Sequence, residues 1–433
     1  GHGEGKKAGY PGHEIAEMAL MRLYDLTGEQ KYLDLAKYFI DERGTKPYYY
    51  DIERGLTCPE GEERYSYNQA NRPVRQQDEV QGHSVRAVYL YSGMADVARA
   101  TQDESLLKAC ETLWNNMVHQ KMYVTGGIGA THIGEAFSFN YDLPNDTAYA
   151  ETCASIGLVF FARRMLEIQA KAEYADVMEL ALYNGVLSGM ALDGKSFFYV
   201  NPLESKGDHH RQEWYGCACC PSQLSRFLPS IGNYIYASSD DALWVNLYIG
   251  NTGQIRIGET DILLTQETDY PWDGSVKLTI STSQPLEKEI RLRIPDWCKT
   301  YDLSINGKRI NVPKEKGYAV IKDWKSQDVI ALDMDMPVEI VAADPHVKEN
   351  FDKRAIQRGP LVYCMEEIDN PVYFDQIQLS PSTTFQTAFA SDILNGIKTI
   401  KTNGRAQSAT FIPYYAWDNR KAGKMRVWIP YNE

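Results

Sequence analysis

The segment HEIAEMALMRLYDLTGEQKYLDLAKYFIDERG, residues 13–44, sets the architecture of the first half of the chain. Its two parts, 13–28 and 31–44, carry apolar residues at helical spacing, and each part ends at a glycine. Because only a short polar turn separates them, we predict two helices packed as an α/α hairpin. The same pattern predicts five further helices, at 81–101, 104–120, 147–169, 173–190 and 221–238.

Long helices joined by short polar turns are typical of stacked α/α hairpins. A closed toroid of six hairpins needs twelve helices, whereas the sequence predicts about seven. The chain begins GHGEGKK, without methionine, and enters a helical pattern almost at once. We therefore expect either that N-terminal residues are missing, and that these supply the other helices of a toroid, or that the helices form an open array.

From about residue 240 the sequence changes to short segments that alternate apolar and polar residues. Segments such as QIRIG, SVKLTISTSQ and EIRLRIPDWC predict an antiparallel β-sandwich, and NGK at 306–308 predicts a tight turn. A second β-rich stretch runs from residue 358 to 432. We expect a multidomain α and β protein with a helical domain over 1–238, a β-sandwich over 239–345 and a second β-rich sandwich region over 346–433.

The overall charge and hydropathy narrow the classes of partner. The formal net charge is −13 and the isoelectric point is near 5.2, which argues against a nucleic-acid partner because phosphate binding needs basic patches. No run of 18 apolar residues occurs, so nothing in the sequence predicts a membrane span. The sequence does not assign a cellular compartment.

The eight cysteines do not form the dense array of a small disulfide scaffold. Three of them crowd into GCACC at 216–220, where the neighbouring Cys219 and Cys220 cannot pair with each other without strain. That cluster suits metal binding, with Cys217 interpreted as a spare thiol. The isolated cysteines are interpreted as small buried hydrophobes: Cys58, Cys110, Cys298 and Cys364.

Two segments bring together residues that could bind a metal ion. A Gly-rich loop leads into a predicted helix that carries Glu151 and Cys153. Pro221 predicts a second helix start just after Cys219 and Cys220, and a helix N-terminus favours the thiolate form of cysteine. Thiolates are soft ligands, so Glu151, Cys153, Cys219 and Cys220 could complete a tetrahedral zinc shell. The residue types leave open whether that zinc is structural or catalytic.

Other residues near these segments could take part in chemistry. If zinc holds the thiols as thiolates, one sulfur could attack carbon, and the loop carboxyl Glu135 could protonate a leaving oxygen. Glu135 could equally be an exposed loop carboxylate. His13 and His83 stand at predicted helix starts and Tyr199 stands beside a break. Spacing alone does not distinguish the two histidines from capping or core residues.

Three segments resemble a known family: TGGIGATHIGEAFSFNYDLPNDTAYAETCASIG, YADVMELALYNGVLSGMALDGKSFFYVNPLES and EWYGCACCPS. They look like the bacterial β-L-arabinofuranosidases of glycoside hydrolase families 127 and 146, which are zinc-cysteine glycosidases. The motifs GEAF, YAETCA and GCACCP occur in that order, which makes the resemblance specific. It implies an α/α six-hairpin toroid as the catalytic domain, followed by β-sandwich domains. It also implies retaining hydrolysis that releases terminal β-L-arabinofuranose, or a related plant cell-wall sugar, from an oligosaccharide or plant glycan.

The resemblance assigns roles to individual residues. Cys219 would be the nucleophile that attacks the anomeric carbon, and Glu135 would be the general acid/base, with its carboxyl kept protonated by its surroundings. The zinc ligands would be Glu151, Cys153, Cys219 and Cys220. The sugar contacts would be His13, His83, Glu179 and Tyr199.

Two other classes of protein stay open at this point. A non-catalytic carbohydrate-binding protein with a structural zinc site would unfold on metal removal and cleave no glycoside. A sugar isomerase or epimerase on the same toroid would rely on paired histidines, and none of the eight histidines stands at a clear catalytic spacing. A homodimer is also compatible with the sequence.

Overall fold

The computed structural model describes residues 9–283, 288–372, 374–402 and 408–432. The expectation about how the chain begins rests on residues 1–8 and lies outside the described residues. The described α-helices are α1 (Ala16–Thr27), α2 (Gln30–Glu42), α3 (Tyr49–Arg54), α4 (Ser84–Thr101), α5 (Glu104–Gln120), α6 (Thr152–Gln169), α7 (Ala172–Leu180), α8 (Cys219–Phe227) and α9 (Gly232–Ile235). None of these helices is long and apolar enough to cross a membrane.

The hairpin predicted from residues 13–44 is confirmed as α1 and α2, which pack against each other. A buried ion pair joins its two ends, because Arg43 Nη1 lies 2.7 Å from Glu14 Oε1 and both side chains are fully buried. Gly44 has a positive φ of 81°, and a Cβ there would meet the Arg72 carbonyl oxygen at 2.1 Å. The glycine that ends this pattern is therefore required by a close backbone approach as well as by its conformation.

Two helices form the centre of the helical region. α4 and α6 pack against each other and are buried along most of their length, as expected of helices that are apolar on nearly all faces. α5 begins and ends where the periodicity predicts, because the Asp103 carboxylate accepts a hydrogen bond from the Leu106 amide at 3.0 Å and caps the helix.

Three predicted helices have wrong limits. α6 begins at Thr152 rather than at 147, because the chain before it is extended. The helix predicted over 173–190 ends as α7 at Leu180 and continues as a π-helical turn and a 3₁₀ turn. The helix predicted over 221–238 begins two residues early, at Cys219, and is not continuous. It ends as α8 at Phe227, a 3₁₀ turn and the short α9 follow, and residues 236–238 form a strand instead of a last helical turn.

The second half of the chain is built of β-strands that form three sheets. The strands are β1 (Glu204–Ser205), β2 (Tyr236–Ser238), β3 (Ala242–Val245), β4 (Asn251–Ile257), β5 (Thr260–Thr268), β6 (Ser275–Thr282), β7 (Glu289–Arg293), β8 (Tyr301–Ile305), β9 (Lys308–Arg309), β10 (Lys314–Glu315), β11 (Tyr318–Ile321), β12 (Val329–Met334), β13 (Val338–Ala342), β14 (Lys353–Arg358), β15 (Leu361–Glu366), β16 (Phe385–Ala390), β17 (Ile397–Thr402), β18 (Thr410–Pro413), β19 (Met425–Arg426) and β20 (Ile429–Pro430).

A five-stranded sheet in the order β10-β11-β7-β3-β2 and a six-stranded sheet in the order β4-β5-β6-β12-β8-β9 share one hydrophobic core. The predicted β-sandwich is thus observed, but it is not wholly antiparallel, because β3 and β7 run parallel. The tight turn predicted at NGK joins β8 to β9, with positive φ at Asn306 and Gly307.

A nine-stranded sheet contains the C-terminal strands and also β1 from the helical half, where Glu204 pairs with Arg426. The helical region is joined to the first sandwich as well. Arg293 of β7 is fully buried and forms ion pairs with Asp176 and Glu179 of α7. These contacts hold α7 against β7, on the sandwich side of the helical region.

Candidate active site

Glu151, Cys153, Cys219 and Cys220 come together although Cys219 follows Cys153 by 66 positions in the sequence. One ligand atom from each residue lies within 4.8 Å of every other. Glu151 immediately precedes α6 and Cys153 is in its first turn, while Cys219 and Cys220 are the first two residues of α8. The N-termini of two helices therefore face one cluster, which favours negative charge on its sulfur and oxygen atoms.

The backbone before α6 is held in an unusual conformation that places Glu151. Ala150 has a positive φ of 37°, and its amide donates to the Gly129 carbonyl at 2.8 Å. Asn201 Nδ2 donates to the Ala150 carbonyl at 2.9 Å and to Thr152 Oγ1 at 3.0 Å. These bonds explain why α6 starts later than its periodicity predicts: Glu151 is kept extended so that its carboxylate reaches the cysteines.

Cys219 is the best-connected atom of the cluster. Its Sγ lies 3.2 Å from Glu151 Oε1, 3.1 Å from the Tyr199 hydroxyl oxygen and 3.7 Å from Cys220 Sγ. Hydrogen bonds from the neighbouring Cys153 and Cys220 thiols lower the pKa of Cys219 far below that of a free cysteine. Burial raises the pKa of Cys220, so Cys219 is the sulfur of the pair that is most readily ionised.

The cluster has the composition and the unmet bonding of a metal site. The side chain of Glu151 is 1% exposed, and its Oε2 is buried without a hydrogen-bond partner among the described residues. Burial, followed by the nearby Cys219 sulfur, raises the pKa of Glu151 well above its usual value. A buried carboxylate oxygen without a partner is costly unless a cation compensates it. The four residues could therefore bind a metal ion.

Glu135 lies beside this cluster in a short 3₁₀ turn, Ile133–Glu135. One oxygen of its carboxyl group lies within 4.8 Å of ligand atoms of His83 and Glu151. Glu151 therefore belongs both to the cysteine cluster and to a second group formed with His83 and Glu135. Glu135 Oε2 lies 2.8 Å from His83 Nε2, and its Oε1 accepts a hydrogen bond of 2.8 Å from the Tyr149 hydroxyl. The alternative of an exposed loop carboxylate is wrong, because Glu135 is half-buried and has a hydrogen-bond partner at each oxygen.

The two predicted histidines lie next to each other, with ring centroids 6.3 Å apart. His83 is buried and precedes α4, and its Nδ1 accepts from the Arg86 amide at 3.4 Å. Burial lowers the pKa of His83 despite the neighbouring Glu135, and burial followed by the Arg86 charge lowers the pKa of His13. Both shifts favour the neutral form of the ring, which can donate one hydrogen bond and accept another.

Glu179 is not brought into this site. Its side chain is buried beside the first sandwich, where it forms an ion pair with Arg293 and accepts hydrogen bonds from the Tyr270 hydroxyl at 2.7 Å and from Trp297 Nε1 at 3.3 Å. It also lines a cavity of about 410 Å³ together with Trp297 and Glu339. Its observed contacts are those of a residue that joins two domains.

The remaining cysteines stay outside the cluster. Cys217 is exposed, in keeping with a spare thiol. The buried ones are Cys110, Cys298 and Cys364. Cys58 is only half-buried, which corrects its interpretation as a core residue.

Sequence reasoning missed Tyr149, which bonds directly to Glu135. Its ring also lies near that of Tyr199, with centroids 6.1 Å apart, so it stands between the carboxyl group and the residue that contacts Cys219. Burial, followed by the hydrogen bond to Glu135, raises the pKa of Tyr149. The feature of the sequence that could have identified it is its position two residues before Glu151. Because the chain has 29 tyrosines, that position alone does not predict a contact with Glu135.

Comparison with known proteins agrees with this architecture. The model of the β-L-arabinofuranosidase GH127 catalytic domain matches residues 1–233, that of the GH127 middle domain matches 242–336 and that of the GH127 C-terminal domain matches 338–430. A non-reducing end β-L-arabinofuranosidase from Bifidobacterium longum is 38% identical over an alignment of 476 positions. The alignment covers 98% of this chain and 71% of the relative.

Solved structures give the same result. A GH127 β-L-arabinofuranosidase from Geobacillus stearothermophilus T6 superposes with a TM-score of 0.95 at 45% identity, over 100% of this chain and 74% of the other. A GH127 β-arabinofuranosidase superposes with a TM-score of 0.91 at 43% identity, over 100% of this chain and 70% of the other. The predicted toroid followed by β-sandwich domains is consistent with these matches.

A helical domain with a buried thiolate and carboxylate site, followed by β-sheet domains that match the same proteins throughout, is an enzyme of the glycoside hydrolase class. Within that class, the chain belongs to glycoside hydrolase family 127, whose catalytic-domain model alone matches more than half of its length.

Proposed function

We propose that the protein is a retaining glycoside hydrolase that releases terminal β-L-arabinofuranose from an oligosaccharide or plant glycan, with Cys219 as nucleophile and Glu135 as general acid/base. The observation that carries the proposal is the position of Glu151. Its carboxylate oxygens reach both the Cys219 sulfur, at 3.2 Å, and the group formed with His83 and Glu135. A nucleophile and a proton donor thus lie close to one and the same carboxylate, near enough to each other to act on one glycosidic bond, which is what a double displacement requires.

The first step forms a bond between Cys219 Sγ and the anomeric carbon as the glycosidic C–O bond breaks. The electron pair of that bond goes to the leaving oxygen, which takes a proton from the Glu135 carboxyl group. Tyr199 holds the sulfur by its hydrogen bond of 3.1 Å and so limits the directions from which the sulfur can approach carbon. The product of this step is a thioglycosyl group on Cys219.

The second step returns the sulfur and sets the stereochemistry. The Glu135 carboxylate takes a proton from water, whose oxygen bonds to the anomeric carbon as the C–S bond breaks. Two displacements at one carbon restore the original configuration, so the released sugar keeps its β anomer. His13 and His83, neutral and adjacent, are placed to bond the sugar hydroxyls.

We propose zinc as the metal, because three cysteines and one carboxylate are a soft, four-ligand set. Held by Glu151, Cys153, Cys219 and Cys220, zinc would keep the Cys219 sulfur ionised and balance its charge. The orphaned Oε2 of Glu151 supports a cation at this position.

Two substitutions test the proposal with an aryl β-L-arabinofuranoside. Cys219→Ser should abolish turnover, and Glu135→Gln should lower it by about 10²- to 10⁴-fold, the range that general acid–base catalysis supplies. The exposed Cys217→Ala is the matched control and should keep wild-type activity. NMR of the first-formed sugar should show the β anomer. Normal turnover by Cys219→Ser would refute the thiolate mechanism, and binding without cleavage by wild type would favour a non-catalytic carbohydrate-binding protein.

We propose the domain limits 1–238, 239–345 and 346–433 as approximate units of folding. The elements themselves change a few residues earlier, because the last helix ends at Ile235, β2 (Tyr236–Ser238) pairs with β3, and β13 (Val338–Ala342) pairs with β14. Limited proteolysis should cut near residue 336, between β12 and β13 where one sheet ends and the next begins, before it cuts within any sheet. The homodimer stays a prediction, which light scattering of the purified chain would test.

A further inference from the structure

We propose that Tyr149 is a positioning residue that keeps the Glu135 carboxyl group aligned both as an acid and as a base. The inference rests on the proposed function, in which Glu135 gives up a proton in the first step and takes one in the second. A residue that serves such a group must remain bonded to it through both steps.

The Glu135 carboxyl group is held from both sides. Tyr149 bonds to its Oε1 at 2.8 Å and His83 bonds to its Oε2 at 2.8 Å. The backbone of Glu135 is held as well: its φ is +51°, and its carbonyl accepts a hydrogen bond of 3.2 Å from Ser84 Oγ. A side chain with a strained backbone and a partner at each oxygen has little freedom to turn, which is typical of groups placed for catalysis.

The two partners are not equivalent. The Nδ1 atom of His83 accepts from the Arg86 amide, so the proton of the neutral ring is on Nε2, which can only donate to Glu135. A tyrosine hydroxyl can either donate or accept. When Glu135 is ionised, both partners donate to it. When Glu135 carries a proton on Oε1 and no leaving oxygen is present, Tyr149 can turn its own hydrogen away and accept that proton in a hydrogen bond. Once the proton points at a leaving oxygen, the Tyr149 hydroxyl turns back and donates to Oε1, while His83 donates to Oε2 throughout.

This difference assigns the mobile proton to Oε1, the oxygen that faces Tyr149. It also separates Tyr149 from a residue that merely packs. Without its hydroxyl, the carboxyl group would keep only the bond to His83 and could rotate about that single contact. The proton would then be poorly aimed at the leaving oxygen, although the fold and the thiolate would remain.

Leaving groups of graded basicity test the inference. For Tyr149→Phe, kcat/KM should fall by about 10- to 100-fold with a phenyl leaving group, the factor that a hydrogen bond to a charged group supplies. With a 2,4-dinitrophenyl leaving group it should fall by no more than about 3-fold, because that group departs without a proton and general acid catalysis adds little. The dependence of log kcat/KM on the leaving-group pKa should therefore become steeper.

The control is Tyr91→Phe, which removes a buried hydroxyl that has no hydrogen-bond partner among the described residues. Tyr91→Phe should keep the wild-type kcat/KM with both the phenyl and the 2,4-dinitrophenyl substrate. Tyr149→Gln, whose amide can also donate and accept, should recover part of the loss with the phenyl substrate. If Tyr149→Phe folds poorly, Tyr149→Gln and Tyr149→Ala can be compared instead. The inference is supported if the dependence of log kcat/KM on leaving-group pKa is no steeper in Tyr149→Gln than in wild type and is shallower than in Tyr149→Ala.

The inference and the proposed function fail in different ways. An equal loss with both leaving groups, or no loss with either, would overturn the role of Tyr149 and leave the proposed hydrolysis intact. A wild-type protein that cleaves neither substrate would overturn the proposed function and this role with it.

Discussion

Replacing Glu179 by glutamine should destabilise the protein and leave sugar binding unchanged. Glu179 is 1% exposed and forms an ion pair with the fully buried Arg293, which also bonds to Asp176 at 2.6 Å. Glutamine is nearly the same size but carries no charge, and its amide nitrogen would meet either the Arg293 guanidinium or the Trp297 N–H, which are also donors. The substitution therefore leaves a buried arginine with one carboxylate instead of two.

The magnitude follows from these contacts. Breaking a buried ion pair costs about 3–5 kcal/mol, and the remaining Asp176 bond places this case near the lower end. We treat the helical region and the first sandwich, which this ion pair joins, as one cooperative unit of roughly 330 residues. The entropy of unfolding is then about 0.7 kcal/mol/K, so a loss of about 3 kcal/mol lowers Tm by about 4 °C. Differential scanning calorimetry would measure the shift.

The matched control is Glu339→Gln, which removes the same charge from an exposed side chain that lines the same cavity. Its Tm should change by less than about 1 °C, since exposed charges contribute little. The resemblance to known arabinofuranosidases instead gives Glu179 a sugar contact, which would raise KM. If Glu179→Gln has the Tm of wild type and a raised KM, Glu179 contacts the sugar, and its proposed role in joining α7 to β7 is refuted.

Two further predictions concern the metal and a helix cap. Cys220→Ala should lower bound zinc, measured by elemental analysis, from one equivalent to well below that, whereas Cys217→Ala should retain it; equal zinc in both would contradict the ligand set. Asp103→Ala should lower the free energy of unfolding by about 1 kcal/mol at neutral pH, since it removes the cap of α5. Although its partial burial opposes ionisation, hydrogen bonds from Ser105 and Arg75 lower the pKa of Asp103, so this difference should shrink as pH falls below about 4. A difference that grew in acid would contradict the assignment.

The sequence was sufficient to predict those features that depend on residues close together in the chain. α5 combines a capping aspartate with regular apolar spacing, and its limits were predicted to the residue. The four-residue metal cluster was predicted from residue chemistry and is observed as a cluster, because helix starts and soft ligands are both visible in sequence.

Prediction failed where distant contacts override local preference. Residues 236–238 continue a helical pattern, yet they form β2 because Tyr236 pairs with Val245 of β3. The start of α6 is displaced by bonds from Asn201, about fifty residues away in sequence, and the surroundings of Glu179 depend on Arg293, 114 residues away. None of these partners can be identified from spacing alone.

The central claim is that the Cys219 sulfur becomes bonded to the sugar. Glu135→Gln should form this intermediate quickly from a 2,4-dinitrophenyl β-L-arabinofuranoside and break it down slowly, because the second step lacks its base. Mass spectrometry of the quenched, digested protein should then find one anhydropentose unit on the peptide that contains Cys219. Finding the sugar on a carboxylate, or no labelled peptide while the dinitrophenol is released in a burst, would contradict the account.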